Sequence, residues 1–431
     1  MPEDITRTVL PNGLTVQIKE IHTAPIISHW LWYRVGSRDE LTGLTGSSHW
    51  VEHMQFKGTP RFPSSVLDKA IAREGGAWNA FTYLDWTTYY ETMPADKIDL
   101  ALNLEADRMV NSLFDPAEVA AERTVIISER EGDENEPLFR LGEAIQSSAF
   151  TTHPYQHEVI GSMEDLHHLQ RDDLYAHYRH YYCPNNAILA IAGDCDATAL
   201  LAQINELYSA IPAGPEALHP AQPEEHAVEE KRLEIQGPGE TTFLELAYHA
   251  PASAQPDFFA FSVVDSLLAG PTSLNMFGGG GISNKTSRLY RALVEKERAV
   301  SVHGGLQATI DPYLYDMIVT VRPECSVANV LGALDDEIKR LQDGLVKEEE
   351  IARAIKQARA MFAYGSENIT NQAFWMGHAE MFASYDWFIH YVDRLAAVTP
   401  VDVQRIAQTY LLPTNRVVGI YLPNGEKESE A

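Results

Sequence analysis

Two stretches 229 residues apart carry the same signature, and no other feature constrains the fold as strongly. Leu166, Asp173-Leu174, Tyr181, Pro184, Asn186 and Ile188 reappear as Leu395, Asp402-Val403, Tyr410, Pro413, Asn415 and Val417. Each copy reads as a helix that ends near a tyrosine, turns at a proline and feeds an apolar strand. The strands are Ile188–Ala192 and Val417–Tyr421. A unit repeated at that distance within 431 residues implies a duplicated chain of two related halves.

The seam between the halves is compositional. From Ala213-Gly214-Pro215 to Glu230 the chain holds three prolines and five glutamates with almost no periodicity, as a linker does. This divides the chain into an N-terminal half, 1–214, a linker, 215–230, and a C-terminal half, 231–431. Thr8-Val9-Leu10 and Leu14 to Ile18 flank Pro11-Asn12-Gly13, a hairpin signal. A third strand is expected over Ile26 to Val35, helical texture over Ser47 to Lys57, and strands again between Gly75 and Thr92. Amphipathic helices are expected over Ala95–Leu113 and Pro116–Glu131. Strands and helices mix without a βαβ rhythm. The expected class is therefore α+β, each half a mainly antiparallel sheet packed with helices.

Charge and composition narrow the partners. Apolar residues make up 45% and charged residues 22%, as in soluble globular proteins. A net charge of −28 repels phosphate backbones and anionic bilayers, so neither nucleic acid nor a membrane is an expected partner. No run of 18 apolar residues is present to cross a bilayer. Cys183, Cys195 and Cys325 form no CxxC, so neither a disulfide framework nor a thiolate zinc site is indicated. The acidic start, Met-Pro-Glu-Asp, lacks the apolar region of a signal peptide, and a cytoplasmic location is expected.

The strongest local signal is His49-Trp50-Val51-Glu52-His53, an H-x-x-E-H arrangement. On a helix, residues four apart leave one face a single turn apart, so both imidazoles can bind one zinc ion. Glu52 borders that face, where a carboxylate can accept a proton from a water activated by the metal. This inverts the H-E-x-x-H motif of zinc peptidases. A third ligand must come from elsewhere. Glu122 and Glu129 lie seven residues apart on the second expected helix, nearly on one face. Such a pair can supply one ligand and one carboxylate that holds a histidine from behind, without spacing saying which is which.

The run Gly46-Ser47-Ser48-His49-Trp50-Val51-Glu52-His53-Met54-Gln55-Phe56-Lys57-Gly58-Thr59 resembles the active-site helix of the pitrilysin family of zinc peptidases. The similarity is greatest to its short branch, which contains mitochondrial processing peptidase and bacterial relatives. Gly75-Gly76-Ala77-Trp78-Asn79-Ala80-Phe81-Thr82 resembles the family's substrate-bearing strand, and the likeness runs on through Asp85, Thr88 and Tyr89-Tyr90. Glu129 stands 76 residues past His53, as the family spacing implies. By that resemblance His49, His53 and Glu129 are zinc ligands, Glu52 is the general base and Glu122 the carboxylate behind a histidine. The resemblance also implies that Asn79, Ala80 and Phe81 lie along an edge strand onto which an extended peptide adds. The implied activity is endopeptidase hydrolysis of short or unfolded peptides inside a closed chamber.

Two departures qualify the likeness. The second half has no H-x-x-E-H; Gly278 to Gly281 stand one repeat after His49. That glycine-rich run fails as a phosphate-binding loop because Asn284 replaces the glycine before Lys285. The family's second half also carries an arginine and, seven residues on, a tyrosine that help bind substrate. Here Val294 and Ser301 occupy those places. Valine donates no side-chain hydrogen bond and serine is short. The expectation is a heterodimer in which a second, homologous subunit supplies the arginine and tyrosine. Glu131, Asp133, Glu134 and Glu136 follow the second long helix, and basic peptides are the substrates they would favour.

Overall fold

Along each sheet the hydrogen-bonding order reproduces the repeat seen in the sequence. The computed structural model describes residues 5–216, 224, 229–271 and 283–424. The first sheet contains β1 (Ile5–Val9), β2 (Thr15–Glu20), β3 (Ile26–Tyr33), β4 (Ala77–Thr82), β5 (Thr87–Pro94) and β6 (Ala187–Gly193), in the order β1-β2-β6-β3-β5-β4. The second contains β7 (Lys231–Gly237), β8 (Phe243–Ala250), β9 (Ala299–Leu306), β10 (Tyr313–Val321) and β11 (Arg416–Pro423), in the order β7-β11-β8-β10-β9. Without β1, the two orders superimpose strand for strand. In each sheet one pair is parallel, β2 with β6 and β7 with β11, and the others are antiparallel.

The repeated signature has a structural cause. At the start of helices Arg171–Tyr181 and Pro400–Tyr410 an aspartate accepts the amide of the residue before the helix, Asp173 from Gln170 at 2.9 Å and Asp402 from Thr399 at 3.0 Å, and Thr399 Oγ1 accepts from the Asp402 amide in return at 3.2 Å. A short 3-10 turn follows at Pro184–Asn186 and at Pro413–Asn415. In the first copy the Asn186 amide donates to the carbonyls of Tyr181 and Arg34, at 3.0 and 3.1 Å. In the second, the Asn415 amide donates to those of Tyr410 and His249, at 2.8 and 3.0 Å. One asparagine thus closes a helix end and ties it to the neighbouring strand, β6 or β11 taking off directly behind it. Aspartate could not donate those bonds.

The N-terminal hairpin turns where Asn-Gly predicts. Gly13 adopts φ 91°, and its amide donates to Leu10 at 2.9 Å. The expected helices appear as Ser47–Gln55, Ile98–Asn111 and Pro116–Asp133.

The compact units differ from a linear cut of the chain. One comprises Met1–Arg130, His157–Pro220 and Ser366–Tyr385; the other comprises Glu131–Gln156, Ala221–Gly365 and Asp386–Ala431. Neither unit is a contiguous half of the chain: each takes in one segment from the other half of the sequence. Sheet faces explain the exchange. β6 is buried along its whole length and β3 along all but its first residue, so both need cover on two sides. Helix Ile369–Phe382 supplies it: Phe374 lies 5.3 Å from the rings of both Trp30 and Trp32. In the other unit helix Pro137–Ala149 covers β11, with Leu141 and Ile145 against Gly419.

The three cysteines are free thiols. Among the described residues no helix is long and apolar enough to cross a membrane. The glycine run 278–281 lies outside the described residues.

Candidate metal centre

Helix Ser47–Gln55 turns Trp50, Val51 and Met54 fully inward, which leaves His49, Glu52 and His53 on its other side. Its start is fixed by Glu40, whose carboxylate accepts the amides of Gly46 at 2.8 Å and Ser48 at 2.7 Å. Gly46 has φ 87°, and a Cβ there would meet the Ile160 carbonyl at 2.5 Å, so only glycine fits.

Helix Pro116–Asp133 buries Val119, Glu122, Ile126 and Arg130, a stripe at helical spacing that includes a carboxylate. Arg123 anchors this helix. Its guanidinium lies 4.8 Å over the Trp50 ring and donates to the carbonyls of Leu166 and Leu169. The anchored helix brings Glu122 and Glu129 to the two histidines in different ways. His53 Nδ1 donates to Glu122 Oε1 at 2.8 Å, which leaves the Nε2 lone pair free to point elsewhere. Glu122 also pairs with Lys57. Glu129 Oε2 lies 3.9 Å from His49 Nε2 and 3.8 Å from His53 Nε2.

One ligand atom from each of His49, His53 and Glu129 lies within 4.8 Å of the others. Donors at about 2.1 Å from a single tetrahedral ion are roughly 3.4 Å apart, so this group is near that spacing before any ion closes it. Two nitrogens and one carboxylate oxygen match the donor chemistry of a catalytic zinc site, in which three such ligands would leave a fourth position to water or substrate. Lys57, Glu122 and His53 thus form one chain behind the group: Lys57 pairs with Glu122, and Glu122 accepts from His53 Nδ1.

Burial and neighbouring charges shift the ionisable groups of the site in different directions. Burial, with His53 nearby, lowers the His49 imidazole to about 3, so the ring is neutral at physiological pH and could serve a metal as a ligand. Burial also pulls His53 down, but its bond to Glu122 and the carboxylates around it prevail and raise it. For Glu122, burial is outweighed by bonds from His53 and Lys57, and the carboxyl is held below its usual range. Burial raises Glu52, with the Thr82 hydroxyl opposing. A carboxyl raised in this way is a stronger proton acceptor than an exposed one.

β4 ends the first sheet, hydrogen-bonded to β5 on one side only. Asn79, Ala80 and Phe81 pair with Tyr90, Tyr89 and Thr88. Asn79 is exposed, Ala80 is buried and Phe81 stacks on Tyr90 at 6.1 Å. On the face of Trp78 and Ala80, Thr82 Oγ1 donates to Glu52 Oε2 at 2.6 Å. Behind them the buried Arg108 guanidinium lies under Tyr89, Phe56 and Trp78, at 4.4, 5.5 and 5.6 Å. Val294 closes the short turn Tyr290–Val294, and on β9 Ser301 Oγ donates to Thr320 Oγ1 at 2.9 Å.

Sequence reasoning gave no role to Lys57 or Arg123. The partner of Lys57 is Glu122 and those of Arg123 are Trp50, Leu166 and Leu169, all distant in sequence, so no local pattern marks either residue.

The chain is similar along nearly all of its length to known peptidases. Residues 15–162 match the family described as "Insulinase (Peptidase family M16)", and residues 168–358 match "Peptidase M16 inactive domain". The chain is 27% identical over 425 residues to an "uncharacterized zinc protease" of Streptomyces coelicolor, covering 96% of this chain and 89% of the relative. It is 25% identical over 418 residues to a "probable mitochondrial-processing peptidase subunit beta" of Arabidopsis thaliana, covering 94% and 76%. Among solved structures, a protease from Helicobacter pylori matches with a TM-score of 0.89 at 23% identity, over 98% of this chain and all of that one.

Proposed function

Because this chain belongs to the M16 (insulinase/pitrilysin) family, we propose that it is a zinc metalloendopeptidase acting on short or unfolded peptides. The observation that carries this reading is the convergence of His49, His53 and Glu129 beside Glu52. In this reading those three residues hold the metal and Glu122 fixes the His53 ring. When bound, zinc supplies Lewis acidity, which polarises a peptide carbonyl and makes water easier to deprotonate. Glu52 accepts the water proton on its carboxylate and returns it to the leaving amine. Asn79, Ala80 and Phe81 offer the outer edge of β4 to an extended peptide, whose backbone adds as a further strand, so binding depends little on its sequence.

Further parts of the proposal go beyond this site. The chain acts within a closed chamber as the zinc-bearing subunit of a heterodimer. Its partner supplies the arginine and tyrosine absent at Val294 and Ser301. The substrates include basic peptides, and the location is the cytoplasm.

Cleavage of a mixed unstructured peptide pool by the zinc-loaded chain, with Glu52→Gln as control, tests the reading. Cleavage by the wild type that the variant lacks supports the peptidase. If neither sample cleaves while both bind zinc, and a related chain that co-purifies from the native source restores cleavage, the heterodimer stands. Inactivity with such a chain present would leave a non-catalytic subunit as the function.

A further inference from the structure

We infer that Thr82 is a positioning residue that locks the Glu52 carboxylate to the end of β4, so that the strand offered to substrate and the proton acceptor move as one unit. The catalytic part of this inference rests on the peptidase reading above; the positioning part does not.

Three observations carry it. First, Thr82 Oγ1 donates to Glu52 Oε2 at 2.6 Å, a short charge-assisted bond to a buried carboxylate. Second, the direction of that bond is determined. Thr82 pairs across the hairpin with Thr87, whose hydroxyl gives its own proton to the Val35 carbonyl at 2.9 Å. The two hydroxyl oxygens are 3.4 Å apart, so the single Thr82 proton goes to the nearer, charged acceptor. Third, Thr82 is the last residue of β4, three positions beyond Asn79, and faces the Ser47–Gln55 helix on the same side as Trp78 and Ala80. Trp78 meets Phe56 at a ring distance of 4.8 Å, a second fastening between that helix and the strand.

A glutamate side chain has three rotatable bonds, and a carboxylate held by one donor loses most of that freedom. The residue that fixes it belongs to the strand along which a peptide would lie. The register of a bound peptide and the aim of the base are therefore set by one strand.

The test compares Thr82→Val, which keeps the shape and removes the proton, with Thr82→Ser, which keeps the proton. In the zinc-loaded protein Thr82→Val is expected to lower kcat by about ten- to a hundredfold with KM changed less than twofold, and Thr82→Ser to recover most of kcat. Bound zinc per chain should be equal in all three. An unchanged kcat, a change confined to KM, or loss of zinc would each overturn the inference. Crystal structures of the wild type and Thr82→Val give a readout independent of activity. The Glu52 carboxylate should leave its place beside residue 82 in the variant, and an unmoved carboxylate refutes positioning. If the wild type positions Glu52 in this way but cleaves nothing, the peptidase reading has failed and the positioning has not.

Discussion

His53 illustrates how one side chain is prepared from behind. Its Nδ1 is committed to Glu122, and Glu122 is committed to Lys57, so the ring can neither flip nor exchange tautomer without breaking a charge-assisted bond. Removing the charge on Glu122 while keeping its shape should weaken metal binding more than stability. For Glu122→Gln the expected outcome is a loss of about 10- to 100-fold in zinc affinity, measured by chelator competition, with an unchanged circular dichroism spectrum. An affinity within twofold of the wild type would mean that the Glu122 contact does not orient the ligand. Helical spacing placed Glu122 and Glu129 on one face without dividing their roles, and only the family resemblance implied which of them meets the metal. The division follows from which nitrogen each meets, Nδ1 for Glu122 and Nε2 for Glu129.

At the scale of elements, the exchange of segments between the units depends on close packing of a helix with no polar face. Helix Ile369–Phe382 buries every residue from Ala373 to Phe382, so its sequence shows no amphipathic stripe by which to recognise it. Its approach to β3 is set by Gly377. A Cβ at that position would meet Trp32 Nε1 at 2.1 Å and Cδ1 at 2.3 Å, and Trp32 is itself wholly buried. Alanine is better than glycine in a helix by about 1 kcal/mol, yet overpacking costs about 1–3 kcal/mol. With Trp32 enclosed, overpacking should prevail. Gly377→Ala is expected to lower stability by about 1–2 kcal/mol in urea unfolding. A stabilised variant would show that the helix can shift away from β3 freely. The helices read from sequence, Ser47–Gln55 and Pro116–Asp133 among them, have a polar face and a clear stop, and that contrast explains which elements were legible.

At the scale of the whole molecule, charge is the property with the widest reach. A chain of net charge −28 attracts cations over distances of about a Debye length, roughly 8–10 Å at moderate salt. Glu134 and Glu136 lie just past the end of helix Pro116–Asp133, which carries Glu129. Under the proposal that basic peptides are substrates, Glu134→Gln with Glu136→Gln should reduce kcat/KM for Arg- or Lys-rich peptides by about three- to tenfold and leave neutral peptides nearly unaffected. The difference should shrink as salt is raised. Equal losses for both peptide classes would sink the idea that these carboxylates select basic sequences.

What the sequence determined by itself is what short-range geometry controls. The helical period put His49 and His53 on one face, the Asn-Gly pair set a hairpin, and a helix-Pro-Asn-strand unit repeated in each half because each asparagine must close a helix and hold a strand. Tertiary structure decided what depends on residues brought together from distant positions. It put Glu129 near both Nε2 atoms and Glu122 at Nδ1 of His53, a division that helix spacing left open, and gave the Thr82 proton to Glu52. It also moved 131–156 and 366–385 into the units whose sheets they cover. The physical reason is the same throughout: a backbone period fixes where a side chain points along its own element, but its partner is fixed by packing, and buried sheet faces and buried carboxylates take their partners wherever the chain can deliver them.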